Sequence, residues 1–361
     1  MKAKNKIILS IVIPVYNGEN YIDNCIHSII NETTINENIF DLIEILIIND
    51  GSKDNSLEKA NNLANEWNGK IRKNFIKVIS KENGQYGSVI NCALKNISGK
   101  YIKVLDVDDI FNSDYFVQIV QIIAGLKIDI DVIVTDYIFD KVIQNKQIIY
   151  KWNKYFEPYK ILKMNQIKFP KLIITMHSII YNSNFLKSIN YSQLENVYYS
   201  DSQYSSIPFA QAKKLYYINI PLYRYYIGRN DQSISIKTMV KNRNDQFQVM
   251  YKIINELLKI EINSRAQKKY VWRIAKNMFE WQCMIIAHDK SIKNRGKFMY
   301  ENLNNILKIC KKNNFYGYMT IRKGALSTLI RITKGKNIVP LIRFGEKLYA
   351  RFKLNIMADW D

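Results

Sequence analysis

The chain has 361 residues, 47% of them hydrophobic and 24% charged, which excludes a disordered or low-complexity protein and leaves room for one large domain or two. Its 53 Lys and Arg against 32 Asp and Glu give a net charge of +21, which points to an anionic partner (a nucleotide-sugar, a lipid surface or nucleic acid) unless it only reflects genome composition. Cys25, Cys92, Cys283 and Cys310 stand far apart with no CxxC pair, so neither a zinc site nor a disulfide framework is signalled, and a reducing cytosol fits.

Lys2, Lys4 and Lys6 ahead of the apolar residues 7–15 imitate the start of a signal peptide. Tyr16-Asn-Gly-Glu-Asn20 offers no small-x-small cleavage site, so residues 7–15 read as a first buried strand. Asn17 or Gly18 can cap a helix with Ile22, Cys25, Ile26, Ile29 and Ile30 on one face. The pattern repeats: a strand over 42–48, the turn Asn49-Asp50-Gly51-Ser52, and a helix with Leu57, Ala60, Leu63, Ala64 and Trp67 inward. A third strand over 75–80 meets a loop containing Gly84 and Gly87, then a helix carrying Val89, Ile90, Ala93, Leu94 and Ile97.

Tyr101-Ile-Lys-Val-Leu-Asp106-Val-Asp108-Asp109 reads as a strand buried on both faces that ends in three carboxylates. Open α/β sheets bind ligands at that end of the strand. Three like charges within four residues repel unless a cation or hydrogen-bond donors offset them, and hard oxygen ligands suit Mg²⁺ or Mn²⁺. Asp108 or Asp109 could instead cap the next helix, which leaves the other acids unexplained. Ser113 opens a helix through Ile123, and 130–135 forms another strand. Strands alternating with helices imply a parallel sheet with right-handed crossovers. After Lys141 come loops and mixed strands with short apolar runs at 172–176 and 216–226. Beyond Ser235 the periodicity is helical, so the predicted division is 1–235 and 236–361. No apolar run reaches the roughly 18 residues of a membrane span.

Neither GxGxxG nor GxxxxGK[ST] occurs, so a glycine-lined phosphate cradle is not indicated. Carboxylates at strand ends take its place: Asp50 can accept hydrogen bonds from a base or ribose, and Asp106–Asp109 can hold a metal that bridges a diphosphate. Ile11-Val-Ile-Pro-Val-Tyr-Asn17, Asn49-Asp-Gly-Ser52-Lys-Asp-Asn-Ser56, Asn83-Gly84 through Asn91, and Leu105-Asp-Val-Asp-Asp109 together resemble glycosyltransferase family 2. The resemblance is strong over 7–135 and weaker to about 235. It implies an α/β GT-A fold with a mostly parallel, helix-flanked sheet, a nucleotide-sugar donor, usually UDP-linked, and inverting transfer. Residues 7–135 would bind that donor and 136–235 the acceptor.

Carried onto this chain, the resemblance implies that Pro14, Tyr16, Asn17 and Glu19 line the nucleotide and Asp50 meets the base. Gly84, Gly87 and Asn91 join the donor-binding set, Asp106 meets the ribose or donor sugar, Asp108 ligates Mn²⁺ or Mg²⁺, and Asp109 orients the metal or the sugar. Structural roles stand beside these: a strand end for Pro14, a helix start for Glu19, turn glycines for Gly84 and Gly87. Inverting transfer needs a base to take the acceptor's proton, and Glu157, Glu195, Asp201 and Asp231 are the candidates. Asp201, in Tyr198-Tyr-Ser-Asp201-Ser-Gln-Tyr204, resembles the family's acidic base, although Ser200 stands where many members carry Glu.

Met176-His177-Ser178 with Tyr181, and the stretch from Tyr223 to Ser233, resemble a branch of the family among bacterial surface-polysaccharide enzymes. Arg224 or Arg229 could then neutralise the leaving diphosphate, and His177 could meet the acceptor. Over 321–354 the residues are strongly basic, and Ile338, Leu341, Ile342, Leu348, Tyr349 and Phe352 can share a helical face flanked by Arg343, Lys347 and Arg351. That is the pattern of an interfacial helix on an anionic membrane. The expected partners are a nucleotide-sugar, a glycan or lipid-linked acceptor and that membrane surface, without nucleic acid, in a cytoplasmic protein peripheral on the inner face of the membrane. Two other classes compete. A nucleotidyltransferase would normally show a glycine-rich, Arg/Lys-bearing loop after the first strand, and a non-catalytic basic adaptor is favoured only by charge.

Overall fold

β1 (Leu9–Val15) buries every residue but Pro14, which is half-buried. It pairs in parallel with β2 (Ile43–Asn49) on one side and β4 (Tyr101–Val104) on the other, and β3 (Ile76–Ser80) extends β2. A computed structural model describes residues 7–31, 39–142, 144–227 and 235–352. The register sets Val15 opposite Asn49 and Val12 opposite Val104, so the turns after these strands share one edge of the sheet. Helices α1 (Ile22–His27), α2 (Ser56–Lys70), α3 (Gln85–Asn96) and α4 (Ser113–Ala124) supply the crossovers. The apolar face read from Ile22, Cys25, Ile26, Ile29 and Ile30 is buried throughout.

Beyond β4 the sheet becomes mixed. β9 (Ile179–Asn182) lies antiparallel between β4 and β6 (Val132–Lys141), and β10 (Lys214–Ile227) runs parallel to β6 with β5 (Ile110–Phe111) antiparallel at its edge. β7 (Lys146–Tyr150) pairs with β6, and β8 (Ile161–Lys163) with β10. The mostly parallel order read from the sequence therefore holds for β1–β4 and again for β6 with β10. β9 departs from it because a short 3₁₀ turn, Met176–Ser178, feeds it instead of a crossover helix, and only a parallel partner requires the long crossover. The helices α5 (Ser183–Ser188) and α6 (Asp201–Gln211) follow β9.

The chain divides into two compact units, Met1–Arg229 and Asn230–Asp361. Among the described residues the second is helical: α7 (Ile236–Lys241), α8 (Arg243–Lys259), α9 (Arg265–His288), α10 (Arg295–Asn313), α11 (Phe315–Arg322), α12 (Ala325–Thr333) and α13 (Ile338–Phe352). α9 is its centre, burying Tyr270, Trp272, Met278 and Phe279 against α8 and α11. Of the α13 face read from its sequence, Ile338 is buried, Ile342 is half-buried and Leu341 faces outward, as does Phe344, while the side chains of Leu348, Tyr349 and Phe352 lie outside the described residues. Arg343 turns inward to donate to the Ala287 carbonyl at 3.1 Å. The reason lies in the neighbouring helix end, whose last carbonyls lack intrahelical donors and attract a cation. No helix of the described residues is long and apolar enough to cross a membrane.

Candidate active site

The turn after β2 carries Asp50, which is buried. Its Oδ1 accepts from Lys81 Nζ at 2.7 Å and from the Gly84 backbone N–H at 3.0 Å, so the carboxylate is held by a charge and by the start of α3 together. Beside it opens a cavity of about 620 Å³ lined by Tyr16, Gly51, Lys53, Lys81 and Asn83, a size that small ligands occupy. The exposed ring of Tyr16 forms part of the wall. Asn17, in left-handed backbone with φ 51°, accepts from the Lys53 N–H at 2.8 Å, and Glu19 accepts from the Asn55 N–H at 2.8 Å. Both side chains staple the loop after β1 to the turn after β2. Pro14 sits one step below, paired with Ile48 across the sheet.

Next along the same edge, β4 delivers the acids. The turn closes with the Asp109 N–H on the Asp106 carbonyl at 3.0 Å. Asp109 is buried, and its two carboxylate oxygens accept from Tyr223 Oη at 2.7 Å and the Tyr226 N–H at 2.9 Å. Tyr223 Oη in turn accepts from the Asp106 N–H at 3.1 Å, so β10 clamps the acid turn from its far side. Asp106 differs: its Oδ1 is buried with no hydrogen-bond partner among the described residues. Burial first, then the charges of Asp108 and Asp201, push its carboxyl up to about 7 against the pull of Lys103. Burial, Asp108 and Asp106 likewise raise Asp109 well above the ordinary carboxylate range. Asp108 is half-buried on a second cavity of about 470 Å³, shared with Tyr21, Asn24, Ser113 and Tyr226.

His177 converges on these acids from the 3₁₀ turn. Asp106, Asp109 and His177 each offer a possible ligand atom within 4.8 Å of the others, and Asp108 is outside that group. The His177 ring stacks on Tyr225 with centroids 4.2 Å apart, and its Nδ1 meets Thr175 Oγ1 at 3.0 Å. Burial, then the Lys103 charge, lowers its pKa to about 3, so the ring is neutral at physiological pH. Lys103 itself is wholly buried. Its ammonium donates to the carbonyls of Met176, His177 and Ile179 at 3.1, 2.5 and 3.2 Å, tying the acid-bearing strand to the turn that carries His177.

Asp201 opens α6, where its side chain reaches solvent. The protein around it nevertheless raises its carboxyl pKa by desolvation, against the lowering by the Ser202 and Asp201 backbone N–H groups. Its charge in turn raises the pKa of Asp106 and Tyr86, so it lies within electrostatic reach of both. The approach to α6 is fixed by α3. Asn91 Nδ2 donates to the Gln193 carbonyl at 3.0 Å and to Glu195 at 2.8 Å, and its Oδ1 accepts from the Gln193 N–H at 2.9 Å. A Cβ on Gly87 would lie 1.9 Å from the Leu194 carbonyl oxygen, so only glycine admits this contact. Gly84, Gly87 and Asn91 thus meet residues 193–196, since the Gly84 carbonyl accepts from the Asn196 N–H at 2.7 Å.

The other candidates lie elsewhere or are engaged. Glu195 is bound to Asn91, exposed Glu157 pairs with Lys160, and Arg224 Nε lies 3.3 Å from Asp140. Arg229 and Asp231 are outside the described residues. Sequence reasoning gave no role to Lys103 or Lys81, and none to Tyr223 beyond its place at the head of the 223–233 stretch. Lys103 left a signal of its own, a cation in the middle of a strand otherwise read as apolar.

The Glycosyl transferase family 2 model matches residues 10–189. An uncharacterized glycosyltransferase of Rickettsia conorii is 27% identical over 277 residues, covering 73% of this chain and 41% of that protein. The minor teichoic acid biosynthesis protein GgaB of Bacillus subtilis is 28% identical over 236 residues, 65% of this chain and 24% of its own. This chain therefore spans well under half the length of either relative. Among solved structures, S. aureus TarS 1–349 in complex with UDP-GlcNAc aligns with a TM-score of 0.66 and 16% identity over 94% of this chain and 92% of that one. That likeness establishes the GT-A fold.

Proposed function

Since the chain belongs to glycosyltransferase family 2, we propose that it moves a sugar from a UDP-linked donor to a saccharide or lipid-linked acceptor in the making of a cell-surface polysaccharide. The observation that carries this reading is the buried Asp106 oxygen, without a hydrogen-bond partner among the described residues, in an acid cluster whose Asp108 and Asp109 line the cavity of about 470 Å³. A buried carboxylate oxygen without a donor is costly unless a cation or ligand meets it. The carboxylates offer hard oxygen donors, which suit Mn²⁺ or Mg²⁺, and His177 brings a nitrogen within reach of Asp106 and Asp109. Asp108 and Asp106 would hold that ion, and bound there it would offset the charge of the diphosphate. Asp109, whose oxygens are engaged by Tyr223 and Tyr226, keeps the turn in shape.

The chain's own groups divide the remaining work. Asp50 and the wall formed by Tyr16, Lys53 and Asn83 hold the nucleoside, with Asn17 and Glu19 fixing the loops around it. Asp201 takes the proton of the acceptor hydroxyl as that oxygen attacks the anomeric carbon opposite the departing UDP, a role favoured by its raised pKa and its solvent-reaching place at the start of α6. His177, neutral and stacked, orients the acceptor. The GgaB likeness favours a surface polymer, and the TarS likeness a UDP-sugar. The enzyme would work at the inner face of a membrane. UDP release from a panel of UDP-sugars with Mn²⁺ or Mg²⁺ tests this, with Asp108→Ala as the comparison. Metal-stimulated release by wild type and loss of it in Asp108→Ala is the expected outcome. A chain that binds RNA in a salt-sensitive way and releases no UDP would point to the adaptor class instead.

A further inference from the structure

The second unit carries a surface that glycosyl transfer does not use. α12 and α13 pack on each other and bury Ile330 and Ile338, yet Ile332 is 76% exposed, Phe344 62%, Leu341 47% and Leu329 36%. Two short helices that have already turned apolar residues inward gain nothing in folding from four more turned outward.

The link between them, 334–337, is not slack. Lys334, Gly335 and Asn337 all have left-handed backbone, with φ of 50°, 81° and 52°. A Cβ on Gly335 would lie 2.1 Å from the Gly296 carbonyl oxygen, and one on Gly296 would lie 1.9 Å from that of Gly335. The turn is therefore seated against the start of α10, and it presents exposed Lys334 and Lys336 beside the apolar residues. Between residues 322 and 346 the sequence holds a single carboxylate, Glu346, which is hydrogen-bonded to His288 Nε2 at 2.8 Å.

Exposed apolar side chains on two adjoining helices, with exposed lysines in the turn between them and no free acid, match a surface that is apolar beneath and anionic above. We propose that α12, α13 and the turn between them dock on an anionic lipid bilayer. The apolar side chains enter the headgroup boundary, and the two lysines meet lipid phosphates. A second copy of the chain fits less well, because it would bring a like-charged unit against the first. The inference rests on the transferase reading only for the acceptor such a position would reach. Vesicle binding is read without turnover, so either can fail alone.

The test is flotation of the full chain with vesicles of phosphatidylcholine alone or mixed with phosphatidylglycerol. Wild type should float only with the mixed vesicles. Ile332→Ser combined with Phe344→Ser should cut the bound fraction roughly tenfold or more, and Lys336→Glu should weaken it as well. All three positions face solvent, so thermal unfolding should be unchanged. Equal flotation of wild type and the double variant overturns the proposal, as does equal flotation with both vesicle types. Self-association of wild type that the double variant loses, with no flotation, overturns it in favour of a second copy.

Discussion

A carboxyl held near pH 7 makes an ion-free protein sensitive to pH in a defined window. Asp106 is raised from 3.8 to about 7, so between those values the folded chain keeps a proton that the unfolded chain has released. Stability from this group is present below about 4 and lost as pH rises towards 7. Lys103, lowered from 10.5 to about 7, acts in the opposite sense and above that window. In metal-free protein the melting temperature should fall as pH is raised from 4 to 7, and less so in Asp106→Asn; identical slopes would mean that Asp106 ionises freely. Asp201→Asn probes chemistry instead, because it keeps shape and removes proton affinity. Transfer should slow by roughly 10²–10⁴-fold while calorimetric UDP affinity holds. A rate within about threefold of wild type with chemistry rate-limiting would leave Asp201 as a helix start.

The helix that best shows what a sequence reveals is α3. Val89, Ile90, Ala93 and Leu94 announce its buried face by spacing alone, and all four are buried. Strand ends, turns and acids are equally local and were equally readable. The partners of Gly87 and Asn91 were not, because residues 193–196 lie about a hundred positions away and no local pattern encodes that distance. Lys103 escaped for the same reason, since its three carbonyl acceptors belong to 176–179. The contact at Gly87 gives an expectation for the element. Gly87→Ala must push the Leu194 backbone away, an overpacking that should lower stability by about 1–3 kcal/mol. It should slow transfer more than it weakens UDP binding, because 193–196 leads to Asp201 along the chain and meets Asp50 only indirectly, through Gly84. Urea unfolding and UDP calorimetry would check both parts. A variant that loses UDP affinity and transfer in equal measure would return Gly87 to the nucleotide side.

Charge is divided unevenly over the whole molecule. Residues 230–361 hold 26 Lys and Arg against 10 Asp and Glu, a net +16 of the total +21. The first unit, with the remaining +5, concentrates its acids at Asp106, Asp108 and Asp109. Anion capture should therefore differ in kind between the two. Attraction of a lipid surface acts through solvent over distances that salt screens, with a Debye length near 10 Å at 0.1 M and about 3 Å at 1 M. Diphosphate binding beside buried or half-buried groups acts at contact and is screened much less. Raising KCl from about 0.05 to 0.5 M should then strip the full chain from phosphatidylglycerol vesicles while UDP affinity in Mn²⁺ changes by less than about threefold. Flotation and calorimetry across the same salt series would measure both on one protein. Parallel losses would mean that the nucleotide too is held by diffuse surface charge, and the acid-cluster site would have to be abandoned as the donor-binding centre.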